Sequence, residues 1–143
     1  MMKNALLGAT LALALCSAKR CEAQGEPHAF PVTAASGNVA AASAVATLPG
    51  APGLTTFISG FEITASGATA AACVNATVTG LVSGNLTYAF CAPAGVTTGA
   101  APLVVNFNPP IPAASVNTPI TLTLPSLGAG NLNAAVATHG FQE

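Results

Sequence analysis

From Leu54 onward, large apolar residues recur at every second position in short runs, and each run predicts a strand with one packed face. In Thr55–Thr64 Phe57, Phe61 and Ile63 fall on one face. Val74, Ala76 and Val78 alternate with Asn75, Thr77 and Thr79, and Leu86, Tyr88 and Phe90 with Thr87, Ala89 and Cys91. Leu103, Val105 and Phe107 alternate with Val104, Asn106 and Asn108, and Ile120, Leu122 and Leu124 with Thr121 and Thr123. A last strand is expected over residues 133–141. Turn signals separate the runs: Ala65-Ser66-Gly67-Ala68, Pro93-Ala94-Gly95, Pro109-Pro110-Ile111-Pro112 and Leu127-Gly128-Ala129-Gly130. Short alternating strands punctuated this way predict an all-β fold, an antiparallel β-sandwich or jelly roll. Large residues line one face, and Thr, Asn and Ala line the other.

The upstream segments are less regular. Asn38–Leu48 reads as a strand with Val39, Ala41, Ser43, Val45 and Thr47 on one face, or as an alanine-favoured helix. Pro49-Gly50-Ala51-Pro52-Gly53 then breaks the chain. Residues 24–37 read as an irregular lead-in. The expected organisation is thus a lead-in with a candidate first strand over 24–53 and a sandwich domain over 54–143, joined by the strand within 38–48.

Parity constrains one hairpin. The strands on either side of Gly80–Gly84 both keep their apolar residues at even numbers. Paired positions must therefore sum to an even value, or the two faces would mix. A loop over Leu81-Val82-Ser83 sets Val78 opposite Leu86, Ala76 opposite Tyr88 and Cys73 opposite Cys91; a loop over Val82-Ser83-Gly84 staggers the cysteines. The first register permits a disulfide between Cys73 and Cys91 where they form a closely spaced pair. The alternative is two buried free thiols, packing as small apolar side chains.

The N-terminus changes the picture of where the domain acts. Met1-Met2-Lys3-Asn4 is a short basic opening to the uncharged run Ala5–Leu15. That run is too short to cross a bilayer as a helix, which takes about 20 residues, and suits the apolar region of a secretory signal peptide. Small residues place cleavage after Ala18 or Ala23. Cleavage after Ala23, giving a signal peptide over 1–23, leaves Cys73 and Cys91 as an even pair outside the cytoplasm. A secreted, periplasmic or cell-surface location is expected, with no membrane-spanning helix after cleavage.

Charge narrows function further. Charged residues make up only 5% of the chain, against about 25% in ordinary domains. From His28 to the end there is no lysine, arginine or aspartate, and the only acidic residues are Glu62 and Glu143. Nucleic-acid binding leans on a basic patch that this chain lacks. General acid–base chemistry needs a tuned group and a partner, and only Glu62 with His139 offers one. Glu62 sits opposite the Phe61/Ile63 face, which marks it as solvent-facing, and His139 reads as an ordinary strand residue. Zinc would need His28, His139, Cys73 and Cys91 to converge without any close ligand spacing; calcium lacks carboxylates. The glycines at 128 and 130 precede no lysine or helix and read as a turn. Asn75-Ala76-Thr77 and Asn85-Leu86-Thr87 match the glycosylation triplet. Thr77-Thr79 and Thr121-Thr123 suit a flat hydroxyl surface for glycan or ice, but threonine is also a good strand former. No catalytic residue, cofactor or metal is expected.

The stretch Ser59–Gln142 resembles a family of small proteins encoded in tailed-phage, prophage and bacterial genomes. The phrases that carry the resemblance are SGFEITASGATAA, ATVTGLVSGNLTYAF, PLVVNFNPPIPA, LPSLGAGN and AAVATHGFQ. It implies a compact β-sandwich, associated with virions or otherwise a structural accessory, and it carries over no catalytic residue. The signal-like N-terminus, and Cys73 and Cys91 where related sequences hold small apolar residues, set this chain apart as an exported bacterial relative.

The expected function is therefore non-enzymatic: an exported structural or surface-interaction module that self-associates, as a homo-oligomer or with an assembly partner, through weakly charged faces. The alternatives are a phage virion decoration or fibre-associated protein, and a glycan- or ice-binding module using Thr, Asn and Tyr88.

Overall fold

The computed structural model describes residues 29–143, and the signal-like segment and His28 lie outside them. Eight strands form: β1 (Phe30–Ala35), β2 (Ala44–Leu48), β3 (Thr56–Thr64), β4 (Ala72–Thr79), β5 (Leu86–Ala92), β6 (Leu103–Pro112), β7 (Ile120–Leu124) and β8 (Ala135–Gln142). They make two four-stranded sheets, ordered β1-β8-β3-β6 and β2-β7-β4-β5, with every strand pair antiparallel. This alternation of strands between two sheets is the jelly-roll order. The expected all-β sandwich is the fold.

The core fills the space between the sheets. Leu48, Ile58, Phe61, Ile63, Val78, Ile120, Leu122, Leu124 and Val136 are all buried. Phe61 is the central pillar. Its ring meets Tyr88 edge-on at 5.1 Å and Phe107 at 6.1 Å, so one side chain ties β3 to both β5 and β6. Alternation in β4, β5 and β7 follows the expected parity, with apolar even-numbered residues turned inward.

Four local expectations fail, each for a physical reason. Phe30–Ala35, read as part of an irregular lead-in, is the edge strand β1, paired along its length with β8. Its inward residues are only Val32 and Ala34, half-buried, so little periodicity reaches the sequence. Pro31 is tolerated because an edge strand has a side on which no N–H is needed.

In β2 the inward residues are Ala44, Ala46 and Leu48, while Val45 is 45% exposed. This is the face opposite to the one expected, and the segment is not helical. Here the sheets come close enough for β2 to contact β1 and β8 across the sandwich. Alanine fits that narrow gap, and larger side chains turn out.

Phe57 does not share a face with Phe61 and Ile63. The register of β3 shifts between Ile58 and Gly60 against both neighbours, so Ser59 forms a bulge that reverses the parity. Ile58 and Phe61 both point inward, and Phe57 stacks outside on Phe141 at 4.9 Å. Gly60 is required at this bulge, since a Cβ would lie 2.6 Å from the Val105 carbonyl and 2.7 Å from the His139 ring.

Finally, β6 continues through Pro109–Pro112, which the sequence marks as a break. β6 is a sheet edge, and only the N–H groups facing β3 are needed there.

Buried polar groups pin the two ends. Thr56 Oγ1 donates to the Pro49 carbonyl at 2.9 Å, and Gln142 Nε2 donates to the same carbonyl at 2.6 Å. At the other end Asn131, almost fully buried, donates from Nδ2 to the Ser66 carbonyl at 2.7 Å, tying the β7–β8 loop to the β3–β4 loop. Its Oδ1 has no hydrogen-bond partner.

Candidate functional site

The β4–β5 hairpin takes the first of the two registers that even parity allows, with Cys73 opposite Cys91, Ala76 opposite Tyr88 and Val78 opposite Leu86. Cys73 and Cys91 form a disulfide with a Cα–Cα separation of 4.0 Å, the spacing of a non-hydrogen-bonded cross-strand pair. Both cysteines are exposed on the outer face, so the reading as buried free thiols is ruled out. Beside the disulfide lies a shallow depression of about 530 Å³, lined by small residues including Ala71, Ala92, Pro93 and Ala100. No charged side chain enters it.

Glu62 and His139 lie on neighbouring strands of the β1-β8-β3-β6 sheet, where Glu62 is paired with Ala137 and His139 with Gly60. Glu62 is exposed, as expected, and borders a shallow groove with Asn38, Thr64 and Ala137. Neither a hydrogen bond nor an ion pair joins it to His139. The nearest hydrogen bond involving His139 is a main-chain one, in which Ser59 Oγ donates to its carbonyl at 3.1 Å. Among the described residues no cluster of three or more His, Cys, Asp or Glu is placed to hold a metal ion.

Tyr88 points inward, half-buried against Phe61, and offers no exposed aromatic platform. Asn75 lies exposed on the outer face opposite Ala89, and Asn85 lies exposed at the hairpin turn.

The outer face of the β2-β7-β4-β5 sheet holds an arrangement that spacing along the chain could not show. Val45, Thr123, Thr77 and Thr87 form one row across all four strands, and Thr47, Thr121 and Thr79 form the next row across three. Neighbouring strands stand about 4.8 Å apart and outward residues on one strand about 6.7 Å apart. The threonines therefore form a two-dimensional grid of methyls and hydroxyls. The Thr47 and Thr121 hydroxyls share a 3.0 Å hydrogen bond, and Thr79 Oγ1 donates to the Thr121 carbonyl at 3.4 Å. Of this grid the sequence marks only the pairs Thr77-Thr79 and Thr121-Thr123. Thr47 and Thr87 join them through strand pairing.

The two outer faces thus present Thr, Asn, Ala and Val, with the Phe57–Phe141 stack and almost no charge, and no polar side chains converge on a cleft. Comparison of the chain with protein-family models, with curated proteins and with solved structures finds no match.

Proposed function

We propose that this protein is a non-enzymatic structural module that acts outside the cytoplasm and associates with copies of itself through its weakly charged surface. The observation that carries the reading is the composition of the two sheet faces. Glu62 is the only charged side chain in any of the eight strands. A surface without charge has no like-charge repulsion to oppose association. The Cys73–Cys91 disulfide supports an oxidising compartment, and no helix among the described residues is long and apolar enough to cross a membrane. Two measurements test the reading. Intact mass of the protein from separated cell fractions should show a chain shortened by the signal peptide, with a 2 Da deficit (one disulfide, two hydrogens lost on oxidation, about 1 Da each) that reduction removes. Sedimentation should show an oligomer whose stability hardly changes from low to high salt. A full-length cytoplasmic chain with free thiols would overturn export, and a monomer at all concentrations would overturn self-association.

The threonine grid favours a second reading, a face that binds ice or an uncharged polysaccharide. Its regular methyl and hydroxyl spacing suits a repetitive, uncharged surface. Replacing Thr77 and Thr121 by Tyr breaks the grid, and should abolish binding to insoluble polysaccharide or inhibition of ice recrystallisation if either occurs. A virion decoration role rests on the resemblance of residues 59–142 alone.

A further inference from the structure

We propose that β5 is a self-pairing edge: a second copy of this chain pairs antiparallel with it about Ala89, closing the apolar slot between β5 and β6. The inference rests on the self-association reading and names the surface that performs it.

The four sheet edges are not equivalent. β1 carries Pro31, β6 carries Pro109, Pro110 and Pro112, and β2 is only five residues long. Prolines and short length are ways of protecting a free edge from another strand. β5 (Leu86-Thr-Tyr-Ala-Phe-Cys-Ala) has no proline, no charge and no bulge, and it pairs regularly with β4 along its whole length. The slot beside it is also open. Leu86, Tyr88, Leu103, Val105 and Phe107 pack against the core but are only partly buried. The sheets do not approach closely between β5 and β6 as they do between β1 and β2.

The register of this edge is self-complementary, which suits a second copy. The 4.0 Å Cα separation makes Cys73–Cys91 a non-hydrogen-bonded pair. Alternation along the ladder then turns the N–H and C=O groups of Leu86, Tyr88 and Phe90 toward β4. Those of Thr87, Ala89 and Cys91 point to the free edge. Pairing two copies about Ala89 sets Ala89 against its own equivalent and Thr87 against Cys91 of the second copy. Every outward main-chain group on the edge is then bonded. The same register sets Tyr88 beside Phe90 and Leu86 beside Ala92 of the second copy. Even numbers meet even numbers, so the inner faces of the two sandwiches stay continuous. No charged residue lies on β4 or β5, so the two identical edges meet without repulsion. A stable dimer buries on the order of 800 Å² per partner, more than a bare strand edge supplies, and the half-covered slot adds the remaining apolar contact.

Sedimentation of the purified wild type and of the variants Ala89→Pro, Ala89→Glu and Thr33→Glu tests this. In a monomer the Ala89 N–H faces solvent, so proline there removes only the bond to the second copy. Glutamate at 89 places two carboxylates face to face at the symmetry axis. Thr33 lies on β1 and serves as the control. The expected result is a wild-type and Thr33→Glu dimer, with both Ala89 variants monomeric at the same concentration and melting within a few degrees of wild type. Amide exchange should slow at Thr87, Ala89 and Cys91 in the wild type as concentration rises. A wild-type monomer at every concentration overturns both this proposal and the self-association reading. A dimer that survives both Ala89 variants leaves self-association standing and overturns the assignment to β5.

Discussion

The two flanks of the sandwich solve the same packing problem in opposite ways. On the β1/β2 flank the inward residues of β2 are Ala44, Ala46 and Leu48, all essentially without solvent exposure, and the sheets come together. On the β5/β6 flank Phe90 and Ala92 are buried, but Leu86, Tyr88, Leu103, Val105 and Phe107 are only partly covered. Small side chains let two sheets close, and bulky ones hold them apart. The closed flank leaves only the small Val32 and Ala34 partly covered, whereas the open one keeps larger apolar side chains at its rim.

The disulfide fits this contrast. β5 has β4 as its only strand neighbour with extensive contact, whereas β1 touches both β8 and β2. A strand with one extensive neighbour thus carries a covalent staple to it. A disulfide acts mainly by restricting the unfolded chain, so it adds stability where burial adds little.

Several experiments would break or sharpen the comparison. The largest effect is expected at Phe61, the pillar that supports the open flank from within. Phe61→Ala should lower unfolding free energy by about 3–5 kcal/mol in urea titration, and should loosen Tyr88 and Phe107 together. A loss near 1 kcal/mol would mean the open flank stands without it. Next, replacing Cys73 and Cys91 together by alanine should cost about 3 kcal/mol for a loop of this size, measured by thermal unfolding. Amide exchange should speed up most in β5 and least in β1 and β2. Uniform acceleration would show that the staple acts on the whole fold rather than on its weakest strand.

A smaller effect separates the flanks directly. Ala46→Leu overfills the closed gap and should cost about 1–3 kcal/mol, whereas Val105→Leu, at the open slot, should stay within about 0.5 kcal/mol of wild type. Equal costs would show that the open flank is as tightly packed as the closed one. The smallest effect is expected at Glu62, exposed and bonded to nothing. Glu62→Gln should shift stability by no more than about 0.5 kcal/mol and leave any association unchanged.

The hairpin shows how much of this was legible in the chain. Val78, Leu86, Tyr88 and Phe90 share even parity, so the requirement that one face stay apolar left two β4–β5 registers open, and the fold takes the first of them. The juxtaposition of Cys73 and Cys91 came with it. The oxidised state did not, since two thiols in that register satisfy the same pattern. Strands β3, β4, β5 and β7 were legible because each buries one face and exposes the other. β1 was not, because an edge strand with Val32 and Ala34 inward carries almost no hydrophobic contrast. The outward turn of Phe57 was hidden as well, because a single inserted residue at Ser59 reverses parity without leaving a mark in composition.

The candidate surfaces divide the same way. The scarcity of charge, the absence of a catalytic constellation around Glu62 and His139 in the sequence pattern, and the alternation of Thr with Val and Leu are properties of local residue order. They determined that the strands carry almost no charge. The threonine grid, the open β5/β6 slot and the unprotected β5 edge were decided by the tertiary structure. Each joins residues far apart in the chain: Thr47 meets Thr121 and Thr79, and Tyr88 meets Phe61 and faces the same slot as Phe107. Alternation along a strand says which way a side chain points. Only strand order and register say what stands beside it, and here these place β5 at a sheet edge.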